Sequence, residues 1–94
     1  MNNELISEFL KLLANENRLA IILSLAKQPL IVSEIVEQTK ISQSLASQQL
    51  KLLKSARIVS SERHGKSVLY SLYDQHILHL LKDISEHVSE KSHD

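Results

Sequence analysis

The chain has 94 residues, of which 43% are hydrophobic, so a single folded domain over residues 1–94 is expected rather than a disordered segment. The absence of cysteine excludes disulfides, thiolate catalysis and thiolate metal sites, and it fits a reducing cytoplasm. The net charge is zero, no apolar run approaches the roughly 20 residues that span a bilayer, and the acidic N-terminus does not resemble a signal peptide, so a cytoplasmic protein is expected.

Apolar residues at helical spacing, together with polar capping residues, predict four helices in the first part of the chain. Their expected bounds are Leu5 to Leu13, Asn15 or Asn17 to Ala26, a short stretch around Ile35 and Val36 that stops near Thr39 and Lys40, and Ser42 to about Ser55. Pro29 ends the second helix, and Ser42 is the expected N-cap of the fourth. A short turn separates the third and fourth helices, which is the arrangement of a helix-turn-helix unit.

The pattern changes after Ala56 from the period of helices to that of strands. Residues 58–59 and 68–73 are predicted to be strands, and the polar stretch 62–66, which holds the only glycine, is the expected hairpin tip. A closing helix is predicted over residues 74–89. The sequence therefore predicts a mainly α fold with a β-hairpin wing, a winged helix-turn-helix in the order of four helices, two strands and one helix.

The net charge of zero conceals a basic centre between acidic ends. Residues 40–67 carry a net charge of +5, whereas residues 1–39 and 68–94 carry −2 and −3. This asymmetry indicates that one part of the surface can bind a polyanion.

The fourth helix has a wholly polar side that contains no acid. Its members lie within about 140° of one another on a helical wheel: Gln43, Ser44, Ser47, Gln48, Lys51 and Lys54. The opposite side is apolar apart from Gln49. Glutamine and serine can read base edges, while lysine and arginine hold phosphates, so these residues and the hairpin predict a DNA-binding surface. The predicted contacts are Gln43, Ser44, Ser47, Gln48, Lys51, Arg63, His64 and Lys66. The alternative is an ordinary solvated helix face, which the adjoining helix-turn-helix and basic hairpin make less favourable.

The closing helix carries histidines and carboxylates at the spacing of a metal site shared between two chains. His76 and His87 lie about 20° apart around the helix but roughly 16 Å apart along it, too far to share an ion within one chain. Two such helices packed antiparallel about a two-fold axis would bring Asp74 and His76 of one chain to His87 and Glu90 of the other, twice per dimer. Two imidazoles and two carboxylates in a tetrahedral set suit Zn(II), with Co(II) as a surrogate. Because ligation needs neutral imidazole, binding should weaken as the pH falls.

Other interpretations of this helix stay open. An acidic, histidine-rich face can arise by chance, and His79 with Asp83 forms a rival pair at i,i+4 spacing. His93 and Asp94 could add ligands and shift the preference toward a six-coordinate metal such as Ni(II). His64, in the predicted hairpin, is expected to contact phosphate or solvent rather than metal.

The chain resembles the ArsR (arsenic-repressor-type) family of metal-responsive repressors, and in particular its zinc-sensing branch. The resemblance covers nearly the whole length and is carried by residues 13–19, residues 41–53, residues 63–66 and the series Asp-x-His-x10-His-x2-Glu that begins at Asp74. The chain departs from the pattern at two positions, since many relatives carry histidine where Gln48 stands and glycine where Arg57 stands.

The resemblance implies a homodimer built on the first and last helices and bound to operator DNA ahead of metal-efflux genes. It also implies that Zn(II) acts as an allosteric inducer, since the metal-bound form fits DNA poorly, and that the histidine matching His87 donates to backbone near Arg57. The sensors that use cysteine ligands for arsenic, cadmium or lead are excluded by composition.

Three rival functions remain at this point. A repressor that responds to nickel or cobalt, or to no metal, is the main alternative, and a non-DNA-binding dimerisation module is the remote one. An enzyme is the least favoured, because four protein ligands would leave a zinc ion no open position for water. No membrane partner and no organic substrate is expected.

Overall fold

The computed structural model describes residues 1–90, so His93 and Asp94, considered above as additional ligands, lie outside the described residues. The elements, in chain order, are α1 (Asn3–Leu13), α2 (Glu16–Lys27), β1 (Leu30–Ile31), α3 (Val32–Thr39), α4 (Gln43–Ser55), β2 (Val59–His64), β3 (Ser67–Leu72) and α5 (Gln75–Ser89). The predicted order of helices is confirmed, and one strand, β1, was not predicted. Within residues 1–90, no helix is both long and apolar enough to cross a membrane.

Side-chain oxygens cap the N-termini of four of these helices and thereby fix where they begin. In each case the oxygen accepts a hydrogen bond from a backbone N–H three residues later: Asn2 from Leu5 at 3.0 Å, Asn15 from Arg18 at 3.0 Å, Ser42 from Leu45 at 3.2 Å, and Asp74 from Ile77 at 3.2 Å. Such bonds satisfy donors that have no partner within the helix. The cap of α2 is therefore Asn15 rather than Asn17, and Ser42 caps α4 as predicted.

The three strands form an antiparallel sheet in the order β1-β3-β2. Leu30 and Ile31 pair with Tyr70 and Leu69, so the segment between α2 and α3 becomes the outer strand opposite the hairpin. The prediction that residues 62–66 form the hairpin tip was wrong, because Glu62, Arg63 and His64 belong to β2 and pair with β3. The turn itself is only Gly65-Lys66, with φ of 63° at the glycine. A two-residue hairpin turn needs this left-handed conformation, which glycine adopts without cost.

A single apolar core lies between the helices and the sheet. Its fully buried side chains come from several elements: Ile21 and Ile22 of α2, Leu30 of β1, Ile35 of α3, Leu50 and Leu53 of α4, and Ile58 and Val59 leading into β2. The helix α5 contributes only Ile77 and Leu81 to this core. The core thus fixes α4 by one side and leaves its other side to solvent.

The C-terminus of α4 ends in a left-handed residue that is not glycine. Arg57 has φ of 59°, its N–H donates to the carbonyl oxygen of Lys54 at 3.1 Å, and the N–H of Ile58 donates to that of Leu53 at 2.9 Å. These two bonds define a Schellman motif, and the fully buried side chains of Leu53 and Ile58 supply its apolar contact. The backbone therefore has the left-handed conformation that favours glycine, although arginine occupies the position.

Replacing Arg57 by glycine should stabilise the fold. The left-handed conformation costs a residue with a Cβ about 1–2 kcal/mol, whereas glycine loses about 0.5–1 kcal/mol of chain entropy, so the net gain should be up to about 1.5 kcal/mol. The measurement is the free energy of unfolding in urea at one protein concentration. As a control, Lys51→Gly in the body of α4 should lose about 1 kcal/mol. A loss of stability in Arg57→Gly would show that the arginine is unstrained, since only the entropy cost of glycine would then remain.

Candidate nucleic-acid interface and metal ligands

The polar side of α4 is exposed along its whole length. The six residues that define it are all exposed: Gln43, Ser44, Ser47, Gln48, Lys51 and Lys54. Ala46, Leu50 and Leu53 on the other side are fully buried, which anchors that side of the helix in the core. Glutamine amides, serine hydroxyls and lysine ammonium groups therefore project outward from a rigid support, with no carboxylate among them.

The hairpin presents a second polar surface on the same central stretch of the chain. Arg63, His64 and Lys66 are exposed around its turn. Glu62 and His64 lie on the same face of β2, and Oε2 of the glutamate is 3.5 Å from Nε2 of the histidine. Both side chains are largely exposed, so this contact contributes little to stability. It does place the single acid of residues 40–67 against a histidine of the same strand.

The four predicted metal ligands lie at the two ends of α5. Asp74 is the N-cap and His76 the second helical residue, while His87 lies in the last turn and Glu90 is the C-cap. All four are exposed. One carboxylate oxygen of Asp74 accepts the capping hydrogen bond from Ile77 N–H at 3.2 Å, which leaves its second oxygen for another partner.

One chain does not bring these ligands together. Across residues 1–90, no three His, Asp or Glu side chains are close enough to hold one metal ion. The 15 residues of α5 span about 22 Å, which separates Asp74 and His76 from His87 and Glu90. The rival residues His79 and Asp83 are also exposed, on the middle turns of the same helix. The donors are of the right chemistry for Zn(II), but only a second copy of α5 could complete the set.

A groove connects the N-terminal ligand pair with the end of α4. It has a volume of about 280 Å³, and its walls include Arg57, Asp74 and His76, together with the apolar side chains of Phe9, Ile77 and Leu80. The N-terminal ligand pair and Arg57, the residue that follows the C-cap of α4, therefore line the same groove.

Large apolar side chains are exposed on α1 and α5. Their exposed fractions are 63% for Leu5, 42% for Ile6, 45% for Leu10, 43% for Ile84 and 72% for Val88. Clusters of exposed apolar side chains on a small protein mark a surface that binds another protein.

One contact between helices was not predicted from the sequence. The guanidinium of Arg18 donates to the side chain of Gln49 from Nη1 to Oε1 at 3.2 Å. The signal that could have found it is the isolated glutamine in the apolar arc of α4, because a polar group that points toward a core needs a partner.

A helix-turn-helix made of α3 and α4, followed by a β-hairpin and a closing helix, defines a winged helix-turn-helix protein. The fold is similar to the solution NMR structure of the homodimeric winged helix-turn-helix DNA-binding domain Mb0332 from Mycobacterium bovis, a possible ArsR-family transcriptional regulator. The TM-score is 0.82 at 26% identity, and the match covers 97% of this chain and 87% of that one.

Residues 15–61 match the family described as "Bacterial regulatory protein, arsR family". The chain belongs to the ArsR family. It is 42% identical over 83 residues to the HTH-type transcriptional repressor SmtB of Mycobacterium tuberculosis, a match covering 88% of this chain and 62% of that protein. It is 38% identical over 84 residues to the transcriptional repressor SmtB homolog of Synechocystis, covering 89% of this chain and 64% of that protein. The chain thus spans less than two thirds of the length of these relatives.

Proposed function

We propose that this chain is a homodimeric transcriptional repressor that binds operator DNA without metal and releases it when Zn(II) binds between the two α5 helices. The observation that carries the DNA-binding part is the exposed, acid-free side of α4, held by the core beside a basic hairpin. The two relatives described above are both transcriptional repressors by name, which supports the same activity here.

In the proposed complex, α4 lies in the major groove with its N-terminal half against the bases. Gln43, Ser44, Ser47 and Gln48 would contact base edges, and Lys51 would hold the phosphate backbone. The hairpin would contribute Arg63, His64 and Lys66 to the backbone beside the groove. Affinity should fall steeply with salt, because each neutralised phosphate releases counterions.

The dimer would form through α1 and α5. Burial of the exposed apolar side chains of these helices at an interface would remove them from water, which is favourable. The structural neighbour from M. bovis is a homodimer. A two-fold axis between the α5 helices would place Asp74 and His76 of one chain beside His87 and Glu90 of the other, giving two equivalent sites.

When bound, Zn(II) would supply four bonds that link the two α5 helices and fix their relative position. The groove shared by Asp74, His76 and Arg57 connects such a site to the end of α4. Linkage then requires that metal and DNA weaken each other by the same factor, typically about 5–150-fold. The genes controlled by a repressor with this inducer would encode metal efflux.

The proposal is tested by titrating a fluorescent duplex with the protein, after the operator has been selected from a random DNA pool. Apo protein should bind tightly and as a dimer, and one Zn(II) per chain should weaken binding by about 5–150-fold. Co(II) should give the absorption of a near-tetrahedral complex. Failure to select any duplex would disprove the DNA-binding function, and binding that ignores zinc would disprove the sensor.

A response to nickel or cobalt, or to no metal, is the second candidate. The exposure of His79 and Asp83 favours it, since a different subset of α5 donors could serve a six-coordinate ion. The same titration with Ni(II) separates the two candidates.

A further inference from the structure

We propose that Arg18 and Gln49 form a positioning link that sets the orientation of α4, the DNA-facing helix, relative to α1, the helix with the exposed apolar side chains. The proposal rests on the proposed function, because it concerns how that function is tuned. Neither residue is among the predicted DNA contacts or metal ligands.

The guanidinium of Arg18 connects three helices. Arg18 itself lies in the first turn of α2. Its Nε donates to the carbonyl oxygen of Leu12 at 2.8 Å and its Nη2 to that of Lys11 at 3.5 Å, both in the last turn of α1. Its Nη1 donates to Oε1 of Gln49 on α4 at 3.2 Å. One side chain in α2 is thus hydrogen-bonded to α1 and α4 together.

The chemistry of arginine suits this role better than that of any other residue. The last carbonyl groups of a helix have no partner within it and carry a partial negative charge, which a guanidinium both satisfies and neutralises. Its planar group offers five donors in a fixed geometry. The bonds to α1 and the bond to α4 therefore restrain the position of one helix relative to the other. The contact with Gln49 is partly buried, where a charge-assisted bond is stronger than it is in open solvent.

Gln49 is the point at which this network reaches the DNA-facing helix. It lies between exposed Gln48 and fully buried Leu50, at the boundary of the two sides of α4. A restraint at this boundary limits rotation of the helix about its axis, and rotation would move Ser44, Ser47 and Gln48 together relative to base edges. Contacts to phosphates tolerate such movement better than contacts to bases do. Attraction between opposite charges depends less on orientation than a hydrogen bond to a base edge does.

The link predicts a selective loss of sequence discrimination. Gln49→Met keeps the length of the side chain and removes the acceptor, so it should weaken binding to the selected operator by up to about tenfold, because one charge-assisted hydrogen bond sets the most that this link can contribute. Binding to a random duplex and the salt dependence should stay as in the parent, since no phosphate contact is changed. Gln28→Met is the matched control, because Gln28 is exposed at the end of α2.

A double-mutant cycle shows whether Gln49 acts through Arg18. Arg18→Lys keeps the charge but cannot reproduce the three directed bonds, so it should lower operator affinity by itself and remove most of the effect of Gln49→Met in the same chain. Unfolding temperature and dimer mass are measured for each variant, and Gln49→Met alone carries the test if Arg18→Lys does not fold.

Two results overturn the link: an unchanged ratio of operator to random-duplex affinity in Gln49→Met, or an undiminished effect of Gln49→Met in the Arg18→Lys background. The second would mean that Gln49 contacts DNA directly. A parent protein that binds no duplex would disprove the proposed function itself, so the two failures are distinguishable.

Discussion

His76→Ala is expected to abolish the zinc response of the protein while leaving operator binding by the metal-free form unchanged. The side chain of His76 is exposed and makes no hydrogen bond with the rest of residues 1–90, so its removal should not disturb the core. As a direct ligand it should matter more than an outer-shell group, whose loss typically costs about 10–100-fold in metal affinity. The measurement is Zn(II) affinity by competition with a chelator, together with operator affinity with and without zinc.

His79→Ala is the matched control, because it removes an exposed histidine from the same helix only three residues away. It should leave zinc affinity and the zinc response intact. If His79→Ala abolishes the response and His76→Ala does not, the rival pair of His79 and Asp83 contributes the ligands instead. Loss of operator binding by metal-free His76→Ala would show that the residue has a structural role.

A mixture of two defective variants tests whether the ligands come from different chains. In a dimer of one His76→Ala chain and one His87→Ala chain, both losses fall in the same shared site, and the second site keeps all four ligands. Random pairing should therefore restore roughly one quarter of the parent's zinc capacity, although neither variant alone binds. A site held within one chain could not be restored in this way, so an inactive mixture would exclude the shared site.

The helices of the fold were predictable because their signals are local. Ser42 and Asp74 provide N-caps, and apolar spacing identifies the side of α4 that packs on the core. The strand β1 was missed because two residues have no detectable period. It is a strand only because it pairs with Leu69 and Tyr70, which lie about forty positions after it in the sequence.

Polar residues in a strand explain the error at the hairpin. Glu62, Arg63 and His64 are exposed on the edge strand β2, where side chains need not be apolar, so polarity alone did not indicate a loop. The conformation of Arg57 was also not predictable from residue type. Two backbone hydrogen bonds, from Arg57 N–H to Lys54 and from Ile58 N–H to Leu53, define the left-handed turn there although the residue is arginine.

The candidate site was predictable only in part. The residues of its proposed DNA-binding part lie close together in the sequence, whereas its proposed metal-binding part needs two copies of the chain. The proposed DNA-facing side is contained in one helix and one hairpin, and its residues are exposed as the helical wheel predicts. The proposed metal site would need a second chain. Asp74 and Glu90 are the N-cap and C-cap of α5, and a helical wheel does not predict where capping residues lie. The contact between Arg18 and Gln49 joins residues 31 positions apart, so no spacing rule reveals it.

Ser47→Glu is expected to reduce operator affinity by about 100-fold or more. Ser47 is exposed in the second turn of α4, in the middle of a side that carries no carboxylate. A glutamate there would face phosphates and the electronegative base edges, and like charges brought together at an interface cost several kcal/mol, with about 1.4 kcal/mol for each factor of ten. The measurement is fluorescence anisotropy of the selected operator at two salt concentrations.

The control for this substitution is Gln28→Glu, which changes the net charge by the same amount at the exposed C-cap of α2, a helix proposed neither to bind DNA nor to form the dimer. It should leave operator affinity within about twofold, because the long-range effect of an exposed charge is largely screened at physiological salt. High salt should narrow the difference between Ser47→Glu and the parent, since part of the loss is repulsion of phosphates. Equal losses in the two variants would mean that net charge, rather than the polar side of α4, determines binding. The assignment of α4 as the DNA-facing helix would then be wrong.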